Sequence, residues 1–217
     1  MGAITRSIAN NITTSGVFTS SAITNTSVTG ITTLANAPAD GITLISSQTA
    51  SASASISFTS GLTSTYKAYK FVFVNIHPET SNIIFQFNFS TDGGSNYNVT
   101  KTTTFFRARH REDDSVTALA YNTSEDLAQS TGFQTILFDS GNDSDDNNSG
   151  EMSLYNPSST TYVKHFIGRV SNTNITAQAG DNYFAGYANT TSAINAVQFK
   201  FSSGNIDAGT IYLYGIK

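Results

Sequence analysis

Three short stretches of the sequence carry residues whose types and spacing suit binding chemistry. The most acidic is 139–150, DSGNDSDDNNSG, in which carboxylates and amides stand close together on a predicted loop. Oxygen ligands of this kind are those that Ca²⁺ prefers, so Asp143, Asp145 and Asp146 are candidate calcium ligands. The EF-hand spacing fails here, because no Glu stands at the twelfth position with a Gly at the sixth. The alternative interpretation is a solvated hairpin tip.

A second stretch, RARHREDD, places Arg107, Arg109 and Arg111 at every other position. Alternation along a strand predicts that the three guanidinium groups share one face. Such a stripe would suit a phosphate, an acidic glycan or a protein interface. The acids that follow at 112–114 favour pairing across a turn or between subunits instead. No aromatic residue stands between the arginines, which argues against a stacking platform for nucleic acid.

The third stretch, Ser90 to Tyr97 (STDGGSNY), matches the Ser-x-Asp-x-Gly-x-x-aromatic turn pattern of sialidase-like propellers. The pattern occurs once here, without the repeats of a propeller. We interpret it as turn chemistry alone, because Asp92 can hydrogen-bond the backbone that follows and the glycines permit positive φ.

A catalytic site is not predicted. The sequence has no Gly-x-Ser-x-Gly elbow, no P-loop, no dinucleotide fingerprint and no His-x-x-x-His pair. The histidines stand in separate contexts, at His77, His110 and His165. We therefore expect neither an enzyme nor a cofactor. Four tyrosines are candidates for stacking on sugars: Tyr97, Tyr155, Tyr183 and Tyr187.

Composition indicates an all-β protein. Charged residues make up 12% of the 217 residues, against about 25% in an ordinary soluble domain, and Ser, Thr and Asn take their place. Threonine favours strands. The net charge of -4 argues against a nucleic-acid partner, and the absence of cysteine excludes disulfides and thiolate metal sites. No segment has the length and hydrophobicity of a membrane span, and no signal peptide is recognisable.

Residues 39–217 read as one β domain, after a turn at Pro38–Gly41. Apolar residues alternate most clearly over Ile83–Phe89, and the segment 69–76 is apolar on both faces, which predicts a central strand. Short strands at regular spacing predict an antiparallel β-sandwich or jelly roll of about 8–10 strands. The segment Ser124–Gln129 reads equally well as a short helix or a loop.

Residues 1–38 form a different region, with small apolar residues scattered among Thr, Ser and Asn. Such a segment buries too little surface to offset its ordering entropy alone, about 1–2 kcal/mol per residue. We expect an extended, β-rich arm that orders against neighbouring chains, the alternative being a loose linker. Its apolar positions for oligomerisation or attachment are Ile4, Ile8, Ile12, Val17, Ile23 and Val28.

The chain resembles small structural proteins of tailed bacteriophages. The resemblance lies in ISFTSGL at 56–62, in the strand and Asp-Gly-Gly-Ser turn of 85–97, and in the closing AGTIYLYGIK at 208–217. It covers residues 42–217. The arm is similar to the Thr/Ser-rich attachment segments of tail fibres.

This resemblance implies a virion protein, a homotrimer with its arm on the particle and its β domain facing outward, at the tail more readily than at the capsid. It implies contacts with other virion proteins and a chain made in the host cytoplasm. Host-surface glycan is a candidate partner; nucleic acid and membrane insertion are not expected. The alternatives are a capsid decoration or head-fibre protein, and a carbohydrate-binding module or glycan depolymerase.

Overall fold

The computed structural model describes residues 41–217. These residues form twelve β-strands and no helix, as the composition predicts. Strand β1 directly follows the predicted arm in the sequence; the arm itself lies outside the described residues. The strands are β1 Ile42–Thr49, β2 Ile56–Phe58, β3 Ala68–Pro78, β4 Ile83–Ser90, β5 Lys101–Arg111, β6 Thr117–Tyr121, β7 Gln134–Ser140, β8 Asn148–Tyr155, β9 Lys164–Thr173, β10 Gln178–Ala188, β11 Ala196–Phe201 and β12 Ile206–Ile216.

The strands form two antiparallel sheets with the connectivity of a jelly roll. The large sheet has eight strands in the order β1-β12-β3-β8-β9-β10-β5-β6, and the small sheet has four in the order β2-β11-β4-β7. Two strand pairs, β5–β6 and β9–β10, are insertions that extend the large sheet. Without them the orders become 1-8-3-6 and 2-7-4-5, those of an eight-stranded jelly roll. The prediction of 8–10 strands was therefore too low, because the extension adds four strands to a complete roll.

Phenylalanine side chains fill the space between the two sheets. Phe199 on β11 lies at the centre, with its ring centroid 5.2 Å from both Phe71 and Phe73 on β3. Phe87 on β4 contacts Phe166 of β9 edge-to-face at 5.2 Å. These rings are fully or almost fully buried, so the core joins the small sheet to the original roll and to its extension.

The structures of two loops can be compared with what the sequence predicted for them. Residues 122–129 form turns and bends, so the segment Ser124–Gln129 is a loop. The 90–97 stretch is a turn, as predicted: Ser90 Oγ donates to Asp92 Oδ1 at 2.6 Å and the Asn96 amide N–H donates to the same carboxylate at 2.9 Å. These hydrogen bonds lower the pKa of Asp92 to about 2. Asp92 therefore organises the turn after β4, from which the chain passes from the small sheet to β5 in the large sheet.

Candidate functional site

The structure places the three predicted arginines on one face of β5, but their burial and their contacts differ. Arg107 is buried, and its guanidinium donates to Asp139 Oδ2 at 3.1 Å and lies 3.9 Å from the centre of the Phe138 ring. Burial lowers the pKa of Arg107, while the charge of Asp139 opposes that shift. Arg111 donates from Nε to the Thr176 carbonyl at 3.2 Å. Arg107 and Arg111 therefore stabilise the fold.

A β-bulge brings Asp139 to Arg107. The pairing of β4 with β7 shifts register between Ile83 and Phe85, and Asp139 adopts a φ of +59° at that point. A bulge re-aims side chains, and here it accompanies a carboxylate that faces a buried guanidinium. The sequence suggested the acids at 112–114 as partners for the arginines; Arg107 pairs with Asp139 from a distant strand instead.

The acidic loop closes on itself. The Asp146 backbone N–H donates to the Asp143 carbonyl at 2.9 Å, and the Asp146 carboxylate accepts from the Asp143 N–H at 3.3 Å. Within residues 41–217 no group of three or more His, Asp or Glu side chains is arranged to hold a metal ion. The structure thus does not support Asp143, Asp145 and Asp146 as calcium ligands. The stretch is an exposed loop, as the alternative interpretation predicts, but it leads from β7 in the small sheet to β8 in the large sheet and is not the tip of a hairpin.

Chelation tests this conclusion. Removing divalent cations with EDTA should leave the melting temperature of the full chain unchanged, because the loop is held by its own hydrogen bonds. The measurement is a thermal scan with EDTA and with added Ca²⁺. A rise of several degrees in the presence of Ca²⁺ would contradict the interpretation of this stretch as an exposed loop without a bound ion.

The six predicted arm positions, Ile4, Ile8, Ile12, Val17, Ile23 and Val28, lie outside the described residues. Their role in oligomerisation stays a prediction. The candidate surface described below belongs to the β domain alone.

The side of the large sheet that faces away from the small sheet, here called the outer face, carries most of the exposed apolar surface. Ten large hydrophobic side chains are exposed among the described residues, and eight of them project from this face. The other two, Tyr162 and Ile175, lie in loops. A concentration of exposed apolar side chains on one face is typical of interaction sites.

The outer face has two chemically different halves. The first, called the apolar half, comprises strands β1, β12 and β3. Ile42, Leu44 and Val74 are exposed there, by 57%, 53% and 38%. Between them lie half-buried side chains of the same character: Val72, Tyr212, Tyr214 and Ile216. The segment 69–76 was predicted to be central because it is apolar on both faces. Strand β3 is indeed third of eight in its sheet, yet one of its apolar faces remains uncovered in the described residues.

The second half, on β8, β9, β10 and β5, is corrugated by rows of side chains that cross the strands. Cross-strand pairing aligns Glu151, Arg169, Tyr183 and Phe106 in one row, called the charged ridge. Tyr155, His165 and Tyr187 form a second row, called the aromatic ridge. Smaller side chains separate the ridges: Ser153, Ala185 and Thr104, with Ile167 as the one large exception.

A second furrow lies on the far side of the charged ridge. Ser149, Ser171, Asp181 and Ala108 are paired across the strands there, and they line a hollow of about 600 Å³ with neighbouring residues. Serines and other small side chains form the bottom of this hollow.

Contacts within the charged ridge fix its side chains in place. Arg169 donates to Asp181 through two nitrogens, from Nε at 2.9 Å and from Nη2 at 2.7 Å, and its guanidinium lies 4.9 Å from the centre of the Tyr183 ring. Tyr183 stacks on Phe106 at 4.7 Å with a 5° angle between the rings, and it donates to Asp181 at 3.0 Å. The bonds from Arg169 lower the pKa of Asp181. The ridge is therefore ordered before any ligand arrives.

Of the four tyrosines predicted to stack on sugars, three lie together on this half. Tyr155, Tyr183 and Tyr187 share the outer face, and the His165 ring lies 6.1 Å from that of Tyr187. Tyr97 lies elsewhere: its hydroxyl packs against the turn at Gly94 and is buried. Sequence reasoning found the tyrosines but missed Arg169, Asp181 and Glu151, whose spacing along the chain gives no sign that they meet.

The remaining histidines also lie apart from one another. His77 Nε2 lies 3.2 Å from the Asp143 carbonyl oxygen, and His110 contacts Asp114 at 2.9 Å.

No helix in the described part of the chain has the length and hydrophobicity needed to cross a membrane. No family model, curated protein or solved structure matches this chain.

Proposed function

We propose that this protein is a structural component of a bacteriophage particle, a fibre-like homotrimer that attaches by its N-terminal arm and presents its jelly roll outward. The observation that carries the proposal is the apolar half of the outer face. It spans three adjacent strands and carries seven apolar or aromatic side chains, and the charged residues Lys70 and Asp207 lie on the same strands. The core of a subunit interface has this composition, because charges there would lose their water.

Assembly through this half agrees with the order of the chain. Strand β1, which contributes Ile42 and Leu44, immediately follows the arm in the sequence, so one association would bring three arms together. The jelly roll supports the proposal at the level of fold alone, since the same architecture serves many functions. The resemblance of residues 42–217 to phage structural proteins supports a phage particle as the place of assembly.

Light scattering of the full chain tests the trimer. We expect a mass of three chains, and we expect Leu44→Glu and Val74→Glu each to shift the mass toward one chain, because the new carboxylate would be buried without a partner. Leu119→Glu is the matched control: Leu119 is 73% exposed on β6, at the opposite edge of the sheet, and its replacement should leave the trimer intact. A folded monomeric wild-type chain would overturn the proposal.

The position on the particle is tested by copy number. A tail fibre is present in a few dozen copies or fewer, whereas a capsid decoration protein is present in hundreds. Quantitative mass spectrometry of purified particles, calibrated against a known capsid protein, distinguishes the two. Absence of the chain from purified particles would contradict a virion role altogether.

A further inference from the structure

We propose that the side chains of Lys101 and Asn88 join in an isopeptide bond, with loss of ammonia, once the chain has folded. Lys101 begins β5 in the large sheet and Asn88 lies on β4 in the small sheet, so the bond would tie the two sheets together covalently. The bond requires neither a trimer nor a phage particle, because both side chains belong to one chain.

The two side chains are held in contact and away from water. Both are fully buried, and Lys101 Nζ lies 2.5 Å from Asn88 Oδ1. Because a C=O bond is about 1.2 Å long, Nζ lies no more than about 3.7 Å from Asn88 Cγ, the carbon that the amine would attack. Nζ also donates to the Val99 carbonyl at 2.8 Å, which fixes the position of the amine. Reacting atoms held at about 3–3.5 Å react far faster than the same groups free in solution.

Burial makes the Lys101 amine a nucleophile at neutral pH. It lowers the pKa of Lys101 to about 7, so about half of the chains carry a neutral amine at pH 7. Loss of one proton leaves two N–H groups, which match the two acceptors on Asn88 and Val99, and one lone pair on Nζ. An ammonium group has no lone pair, so the reaction needs the neutral form.

The surroundings of the Asn88 amide favour attack at its carbon. The Phe89 backbone N–H donates to Asn88 Oδ1 at 2.8 Å, so negative charge that develops on this oxygen has a fixed donor. On the nitrogen side of the amide, Nδ2 donates to the carbonyls of Tyr97 at 2.7 Å and Thr131 at 2.9 Å. These two acceptors would hold the ammonia as it leaves.

The step is balanced without a further reagent. The Nζ lone pair forms a bond to Asn88 Cγ, one proton passes from Nζ to Nδ2, and the Cγ–Nδ2 bond breaks with its electron pair going to the nitrogen. The products are a secondary amide and ammonia, and nothing is oxidised or reduced.

The bond should form more slowly than the chain folds. Within residues 41–217 no carboxylate forms an ion pair with Lys101, so none is placed to assist the proton transfer. Lys101 titrates only while its amine is free, and its effect on stability at different pH values therefore belongs to the chain that has not yet reacted.

Intact-mass spectrometry of the full chain tests the proposal. After incubation of the folded chain at pH 8 we expect a mass lower than that of the sequence by about 17 Da, the mass of one ammonia. Chymotrypsin digestion of the denatured chain cleaves after Phe89 and Tyr97, which separates the two side chains unless they are linked. A linked chain should yield one branched peptide that carries both Asn88 and Lys101. At pH 6 the bond should form about tenfold more slowly than at pH 8, because about a tenth as many amines are neutral.

Two variants control for the assignment. Lys101→Arg should abolish the loss of mass, because a guanidinium group does not displace ammonia from the amide. Lys164→Arg is the matched control and should keep the loss. Lys164 lies opposite the same residue of β10, Ala188, and is also fully buried, but it donates to the backbone carbonyls of Thr190 and Ser192 rather than to an amide side chain.

The wild-type spectrum decides the question even where a variant fails to fold. The full mass of the sequence after incubation at pH 8 would overturn the isopeptide bond. So would a loss of ammonia without a branched peptide, or a loss that persists in Lys101→Arg. Light scattering of the trimer does not depend on these outcomes, so this proposal and the proposed function can fail separately.

Discussion

Replacing Phe199 with alanine should lower the free energy of unfolding by about 3–5 kcal/mol, a large part of the stability of a single domain. Phe199 is fully buried, and its ring meets five others, from Phe58, Phe71, Phe73, Phe85 and Phe87, at centroid distances of 5.2–6.4 Å. These rings come from both sheets and cannot move inward together. The cavity left by the mutation would therefore persist, and its cost would add to the lost burial.

Urea unfolding of the wild-type and variant chains measures this effect. Phe106→Ala is the matched control, because Phe106 stacks on Tyr183 but lies on the outer face, 39% exposed. We expect it to cost about 1 kcal/mol. Equal losses for the two variants would contradict the assignment of the core to the space between the sheets.

Much of this core could be predicted from the alternation of side chains. Phe85, Phe87 and Phe89 occupy every second position, and all three are buried as the pattern predicts. The jelly roll followed from short strands at regular spacing. The extension of the roll was not predicted, because β5 pairs with β10 through contacts 67 to 87 residues apart in the chain, and alternation specifies a face but not a neighbour.

The candidate site was less predictable for a related reason. Its ridges consist of residues that register aligns, such as Arg169 opposite Glu151 on one side and Tyr183 on the other. A shift of the strand register by one residue would turn each of these side chains toward the core. Arg107 shows a different limit. Alternation places it on the same face of β5 as the buried Thr103 and Phe105, but its partner Asp139 comes from β7, which alternation along β5 does not reveal.

Lys101 is a residue that neither alternation nor composition identified. It begins β5 and is fully buried, with its ammonium group donating to the Asn88 side-chain oxygen and, at 2.8 Å, to the Val99 carbonyl. Asn88 is also fully buried, and its amide donates to the carbonyls of Tyr97 and Thr131. Lys101 thus closes a polar network at one end of the sandwich. Burial lowers its pKa to about 7.

That pKa makes stability depend on pH in a defined window. The unfolded chain holds the Lys101 proton up to a pKa of about 10.4, whereas the folded chain releases it near 7. Between these values the unfolded state binds more protons, so stability rises with pH. Below pH 7 both states are protonated, and the full penalty of the buried charge is present. For Lys101 alone we expect a gain of about 3 kcal/mol between pH 7 and pH 9.5.

The variant Lys101→Met isolates this contribution, because methionine fills a similar volume without an amine. Its free energy of unfolding, measured by urea at pH 7 and at pH 9.5, should rise by about 3 kcal/mol less than that of the wild type. Lys70→Met is the control, since Lys70 pairs with Glu151 on the outer face and should keep the wild-type slope. Lys164, whose pKa burial also lowers, contributes equally to all three chains and cancels in the comparison. An unchanged pH slope in Lys101→Met would show that the buried ammonium keeps its proton, and that the bonds to Asn88 and Val99 outweigh the loss of water.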